Sequence, residues 1–113
     1  MAFTEKSLCR QAVNSAETLY TVPASTKTII KDIQICNNSA SDCYISVWLV
    51  PNAGSASDEN VMFYQWNVPA NDFVHWSGFQ ILDTAGDTIV ATSETADQIT
   101  ITISGATIWF GLK

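Results

Sequence analysis

The chain has 113 residues, 47% of them hydrophobic and only 14% charged, with a formal net charge of −6. It is too apolar for a disordered segment. Its five Lys and Arg are too scattered to form a phosphate-binding patch, and no apolar run approaches the ~20 residues of a membrane helix, so neither nucleic acid nor membrane is expected as a partner.

The first residues, MAFTEKSLCRQAVNSAET, lack an apolar signal core, so no secretion signal is expected. Residues 1–16 read as an N-terminal arm: Leu8, Ala12 and Val13 fall at helical spacing and allow a helical turn or two within 5–16. From there short runs rich in Val, Ile, Thr and aromatics alternate with breakers. The runs are 18–22, 26–36, 43–50, 61–68, 72–76, 78–82, 87–93, 98–104 and 106–112. The breakers include PAS, NNSASD, PNAGSASDEN, PAND and TAGD, and Gly86 is expected to supply a positive φ before Asp87. This spacing predicts a single all-β domain over 1–113. The expected architecture is a mainly antiparallel, jelly-roll-like β-sandwich of about eight strands.

Parity within the runs assigns the core. Ile33, Ile35, Ile45, Val47, Leu49, Ile89, Ile99, Ile101 and Ile103 are expected to point inward. QITITIS (98–104) places Gln98, Thr100, Thr102 and Ser104 on the opposite face. A flat ice-binding array would repeat such ranks on neighbouring strands, and only Thr88 and Thr92 offer anything similar, so the hydroxyl face is read as meeting water. Cys36 and Cys43 flank a short polar loop with opposite parity. Together with the odd count of three cysteines, that argues against a disulfide. The segment 51–60 is expected to be an exposed, mobile loop.

Chemistry is sparse. His75 is the only histidine, no GxSxG elbow is present, and Cys9, Cys36 and Cys43 lack metal-ligand spacing. Asp58 with Glu59, and Asp83 with Asp87, follow no calcium-loop pattern. No catalytic residue, metal or cofactor is expected, and the chain is read as a non-enzyme. The aromatics say more. Tyr44 and Trp48 are out of phase with the core residues of their strand, and Tyr64 and Trp66 are out of phase with Phe63. Both strands therefore carry bulky groups on both faces; a face covered by the N-terminal segment or a long loop, a subunit interface, or a sugar-stacking platform would each account for this. Tyr44, Trp48, Tyr64, Trp66, Trp76 and Trp109 are the candidate contact residues, with Tyr44, Trp48 and Trp66 expected to share one patch.

In order, LYTVPASTKTIIKDIQICN, the strand ending in VP at Pro51, the Gly/Ser/Asp/Asn loop, LDTAGDTIVATS and QITITISG resemble a recurrent small protein of tailed bacteriophages. The resemblance covers about residues 19–105, and its fold is similar to the shoulder domain of lactococcal phage receptor-binding proteins. It implies a building block of a head, tail or baseplate, assembled in the host cytoplasm and resident in the virion, with other phage structural proteins as partners. The aromatic groups on two strand faces lead to the expectation of a homo-oligomer, and the resemblance implies a trimer or hexamer, which would suit a particle axis. The family has no catalytic motif to carry over. VMFYQWNVPANDFVHW and ATIWFGLK exceed its usual pattern. The alternative reading is a carbohydrate-binding module of a host-recognition device.

Overall fold

The structure is a computed structural model that describes residues 2–13, 17–95 and 98–109. Eight strands follow in chain order: β1 (Ala2–Val13), β2 (Glu17–Thr21), β3 (Thr26–Asn37), β4 (Cys43–Val50), β5 (Val61–Val68), β6 (Asp72–Leu82), β7 (Thr88–Ser93) and β8 (Ile99–Trp109). They form two four-stranded sheets, ordered β1-β8-β3-β6 and β2-β7-β4-β5. Every neighbouring pair is antiparallel. Consecutive strands thus cross repeatedly between sheets, which is the jelly-roll arrangement.

The sheets close on a dry core because the alternating strands aim β-branched residues at one another. Ile33, Ile35, Ile45, Val47, Ile89, Ile99, Ile101 and Ile103 are fully buried, and Leu49 packs half-buried at the margin. Each buried Ile or Val contributes about 1.5–3 kcal/mol relative to an exposed one. Cys43 lies in this core, whereas Cys36 faces outward from the other sheet; all three cysteines are free thiols, as parity indicated.

Residues 2–13 are not helical. They pair with β8 along their whole length, through a bulge between Ser7 and Cys9. That bulge lets the consecutive residues Leu8 and Cys9 both be buried, and Val13 follows them into the core, while Ala12 is exposed. Helical spacing of Leu8, Ala12 and Val13 was therefore produced by an irregular strand, since one inserted residue breaks the two-residue period.

The same level of the first sheet is irregular throughout. Between the rungs of Ile103 and Gly105, β3 runs from Ile33 to Ile30 and β6 from Trp76 to Gln80, while β1 runs from Cys9 to Lys6. β8 is thus the shortest path through one transverse row of bulges, which coils the sheet.

One end of the sandwich is tied by Asn37. Its Nδ2 donates to the carbonyls of Ser41 (2.8 Å) and Val68 (3.0 Å), and its Oδ1 accepts from Ser39 N (3.0 Å) and Ser39 Oγ (2.8 Å). Asp42 accepts from Ala70 N at 2.9 Å, and Asn71 N donates to the Ser39 carbonyl at 3.0 Å. The β3–β4 and β5–β6 connections are therefore one hydrogen-bonded unit. Elsewhere Gly86 adopts φ +93°, as its turn demands, and buried Asp87 accepts from Asn52 N and Thr84 N. The exposed 51–60 loop carries internal bonds: Asn60 Nδ2 donates to Ser55 O, and Ser57 N donates to Asn60 Oδ1.

Candidate functional site: an aromatic edge between two sheets

β5 and β6 are edge strands of different sheets, and they lie beside each other on one side of the sandwich. Among the described residues, five of the seven exposed large hydrophobic side chains belong to them: Val61, Tyr64, Phe73, Phe79 and Ile81. The sequence accounts for this concentration. Residues 61–82 include only Asp72 and the neutral-or-charged His75 as titratable groups besides Tyr64.

The centre of the edge is built by a backbone irregularity. Ile45 pairs with Trp66 and Val47 with Phe63, so Ser46 faces two residues, Tyr64 and Gln65. Gln65 takes the left-handed conformation, φ 50°, and its N–H donates to Ser46 Oγ at 2.8 Å. This bulge reverses the phase of β5. Phe63 and Trp66, three residues apart, thereby come to the same side and pack with ring centroids 4.7 Å apart. Trp76 reaches across from β6 to meet Phe63 edge-on at 6.2 Å. Such offset and edge-to-face pairs are favourable beyond their buried area. The Trp76 ring lies over Gly78, where an added Cβ would come within 2.8 Å of the ring; glycine at that position leaves the ring room. An open cleft of about 530 Å³ remains, lined by Phe63, Tyr64, Gln65, Trp66, Asn67 and Trp76.

The six candidate residues separate into three places. Trp66 and Trp76 join Phe63 at the margin of the core, and Tyr64 stands exposed beside them. Trp48 points out of the second sheet, half-buried in a row with its cross-strand neighbours Val90 and Val61, and Tyr44 lies exposed on the same strand. Trp109 closes the far end of β8 opposite Ala2 and Thr26. The expected continuous patch of Tyr44, Trp48 and Trp66 is not formed, because the Gln65 bulge turns Trp66 toward the core. Phe63 entered the sequence reading only as the residue out of phase with Tyr64 and Trp66, and Gln65 escaped it, because nothing marks a glutamine as a left-handed residue.

His75 Nε2 lies 2.9 Å from Asp32 Oδ1, both side chains about half exposed on the outer face of the first sheet. The Thr100, Thr102 and Ser104 face shares this surface, flanked through the ladder by Arg10, Ala12, Asp32, Gln34 and Cys36. Among the described residues, no group of three or more His, Cys, Asp or Glu is placed to hold a metal ion.

No protein-family model and no curated protein matches the sequence. Solved structures do match in fold. A chain from Bacillus endospore appendages, described as disulfide-linked pili, is similar with a TM-score of 0.57 and 9% identity, covering 97% of this chain and 90% of that one. A chain of infectious bursal disease virus, Gx strain, is similar at TM-score 0.55 and 11% identity, covering 99% of this chain. This chain spans only 33% of the viral chain. A chain of the virus-like particle of extra small virus from the giant freshwater prawn is similar at TM-score 0.51 and 12% identity, covering 100% of this chain and 82% of that one. The chain therefore has the jelly-roll fold found in these particle and filament proteins.

Proposed function

We propose that the protein is a non-enzymatic structural or accessory component of a bacteriophage particle, in head, tail or baseplate, and that it works through protein–protein contacts. It would be assembled in the host cytoplasm as a homo-oligomer, with other phage structural proteins as its partners. One observation carries the reading: apolar side chains are gathered on the β5–β6 side, where two sheet edges lie open together. Soluble monomers blunt such edges with charge, and large apolar patches mark contact sites. Three structural neighbours come from repeating assemblies, two viral and one pilus, which supports the same reading. The phage assignment rests on the ordered sequence resemblance over about residues 19–105.

A second reading has one observation in its favour. The cleft sets Trp66 and Trp76 beside the amides of Gln65 and Asn67, the residue types a sugar-binding site combines. Both indole rings, however, are turned against Phe63, at 51° and 71°, and so are engaged with that ring rather than set side by side as a flat platform.

Light scattering and negative-stain microscopy of the purified protein at micromolar concentration test the two together. Assembly predicts regular species heavier than a monomer. A strict monomer whose tryptophan emission shifts on adding oligosaccharide would overturn it in favour of the sugar-binding reading.

A further inference from the structure

The two sides of the sandwich are unlike, and they fit each other. In the first sheet β1, β8, β3 and β6 alternate in direction, so the edge strands β1 and β6 run opposite ways. In the second sheet β2 and β5 do the same. β1 lies beside β2 on one side, and β6 beside β5 on the other. A second copy moved sideways without inversion therefore brings its β1 antiparallel to β6 and its β2 antiparallel to β5. Both sheets continue across the junction with the hydrogen-bond pattern they already have.

Three further features favour a second copy as the occupant. First, the transverse row of bulges leaves the sheet at Cys9–Lys6 on β1 and at Trp76–Gln80 on β6, so both edges are irregular at the same level. A laterally placed copy can continue that row. Secondly, the charges permit the approach. β1 and β2 carry Glu5, Lys6, Arg10 and Glu17, which balance, and β5 and β6 carry only Asp72 besides His75. The four strands that would meet therefore carry little net charge of their own, so like-charge repulsion between them is small. Thirdly, the apolar exposure is one-sided. β6 exposes Phe73, Phe79 and Ile81, whereas β1 exposes Lys6 and Arg10, whose long aliphatic stems can cover apolar groups while their charged ends stay in water.

We infer that the β5–β6 side receives the β1–β2 side of another copy of this chain, head to tail, with β6 pairing antiparallel to the neighbour's β1 and the aromatic cleft covered by the neighbour's edge. The inference rests on the self-assembly reading above and specifies its surface. Because the two contacting surfaces differ, the contact is heterologous: it closes into a ring or continues as a filament according to the rotation between copies.

Two surface variants test it. Phe73→Lys/Phe79→Lys makes β6 basic, and Lys6→Glu/Arg10→Glu makes β1 acidic; all four side chains are exposed, and a far-UV β spectrum verifies the fold. Each variant alone should lose every species heavier than a monomer at a concentration where wild type is fully assembled. A 1:1 mixture should regain species heavier than a monomer, since each altered edge then meets a complementary one. If wild type assembles and the basic variant still does so, or the acidic variant still self-associates while the basic one does not, the head-to-tail contact is refuted and self-assembly survives. Failure of the mixture to recover refutes it as well. A wild type that stays monomeric refutes both.

Discussion

Asn37 is fully buried and makes four hydrogen bonds with its one amide. Asn37→Ala removes them all. Ser39 and Ser41 lie at the surface, where water can replace the lost partner at small net cost. The Val68 carbonyl belongs to a residue with no exposure, so it forfeits its Asn37 partner without easy access to water. An unsatisfied buried group costs about 1–3 kcal/mol, and each ordinary hydrogen bond contributes about 0.5–1.5 kcal/mol net. The expected loss is about 3 kcal/mol, a large part of the roughly 5–15 kcal/mol of a whole domain. Urea unfolding followed by tryptophan fluorescence measures it, with the midpoint falling and the m-value unchanged. Asn37→Asp should cost more at neutral pH, because a carboxylate cannot donate to the Ser41 and Val68 carbonyls. Its protonated form can donate to one of them. The Asp variant should therefore recover part of its stability, relative to Asn37→Ala, as pH falls through the range where that carboxyl binds its proton. A loss below about 1 kcal/mol for Asn37→Ala, or an Asp variant indistinguishable from the Ala variant at every pH, would refute the reasoning.

Ile101, fully buried between the sheets, should lose about 2–5 kcal/mol on truncation to Ala, read by the same unfolding curves. Gly86→Ala should destabilise measurably in thermal unfolding, because φ +93° is hostile to a side chain and the new Cβ would strike the Asn52 amide. Burial, and secondarily the charge of Glu17, raise the Cys9 thiol above its ordinary value. A raised folded-state pKa gives stability that is complete below the unfolded thiol's value and is lost as pH rises through the folded one. Wild type should therefore weaken between neutral and strongly alkaline pH more than Cys9→Ala does, in urea titrations across that range.

How much was legible in the sequence follows from what each residue signals. QITITIS alternates without interruption and CYISVWLV does so up to Val47, and the side-chain period of a strand is two, so Ile99, Ile101, Ile103, Ile45 and Val47 were readable as the inward set and are fully buried; beyond them Leu49, expected inward, is half-buried and its neighbour Val50 is buried instead. Parity failed where a residue was inserted. Leu8 in β1 and Gln65 in β5 are bulges with no glycine to announce them, and each shifts everything beyond it by one position. The first imitated a helical period; the second moved Trp66 from the supposed outer patch to the ring cluster with Phe63. Asn37 stood in view in NNSASD, but a loop asparagine and one that clamps two connections look alike until the distant Val68 carbonyl is in place. The crowding of β5 against β6 was equally hidden, since it depends on which strands end up as edges.

The most direct test of the account is amide hydrogen exchange at two protein concentrations, one below and one above assembly, resolved by peptide. Assembly through the unlike edges predicts that amides of 72–82 and of 2–13 slow together as concentration rises, while those of the central strands β8 and β4 keep their rates. Slowing confined to other segments, or to 72–82 without 2–13, would contradict it.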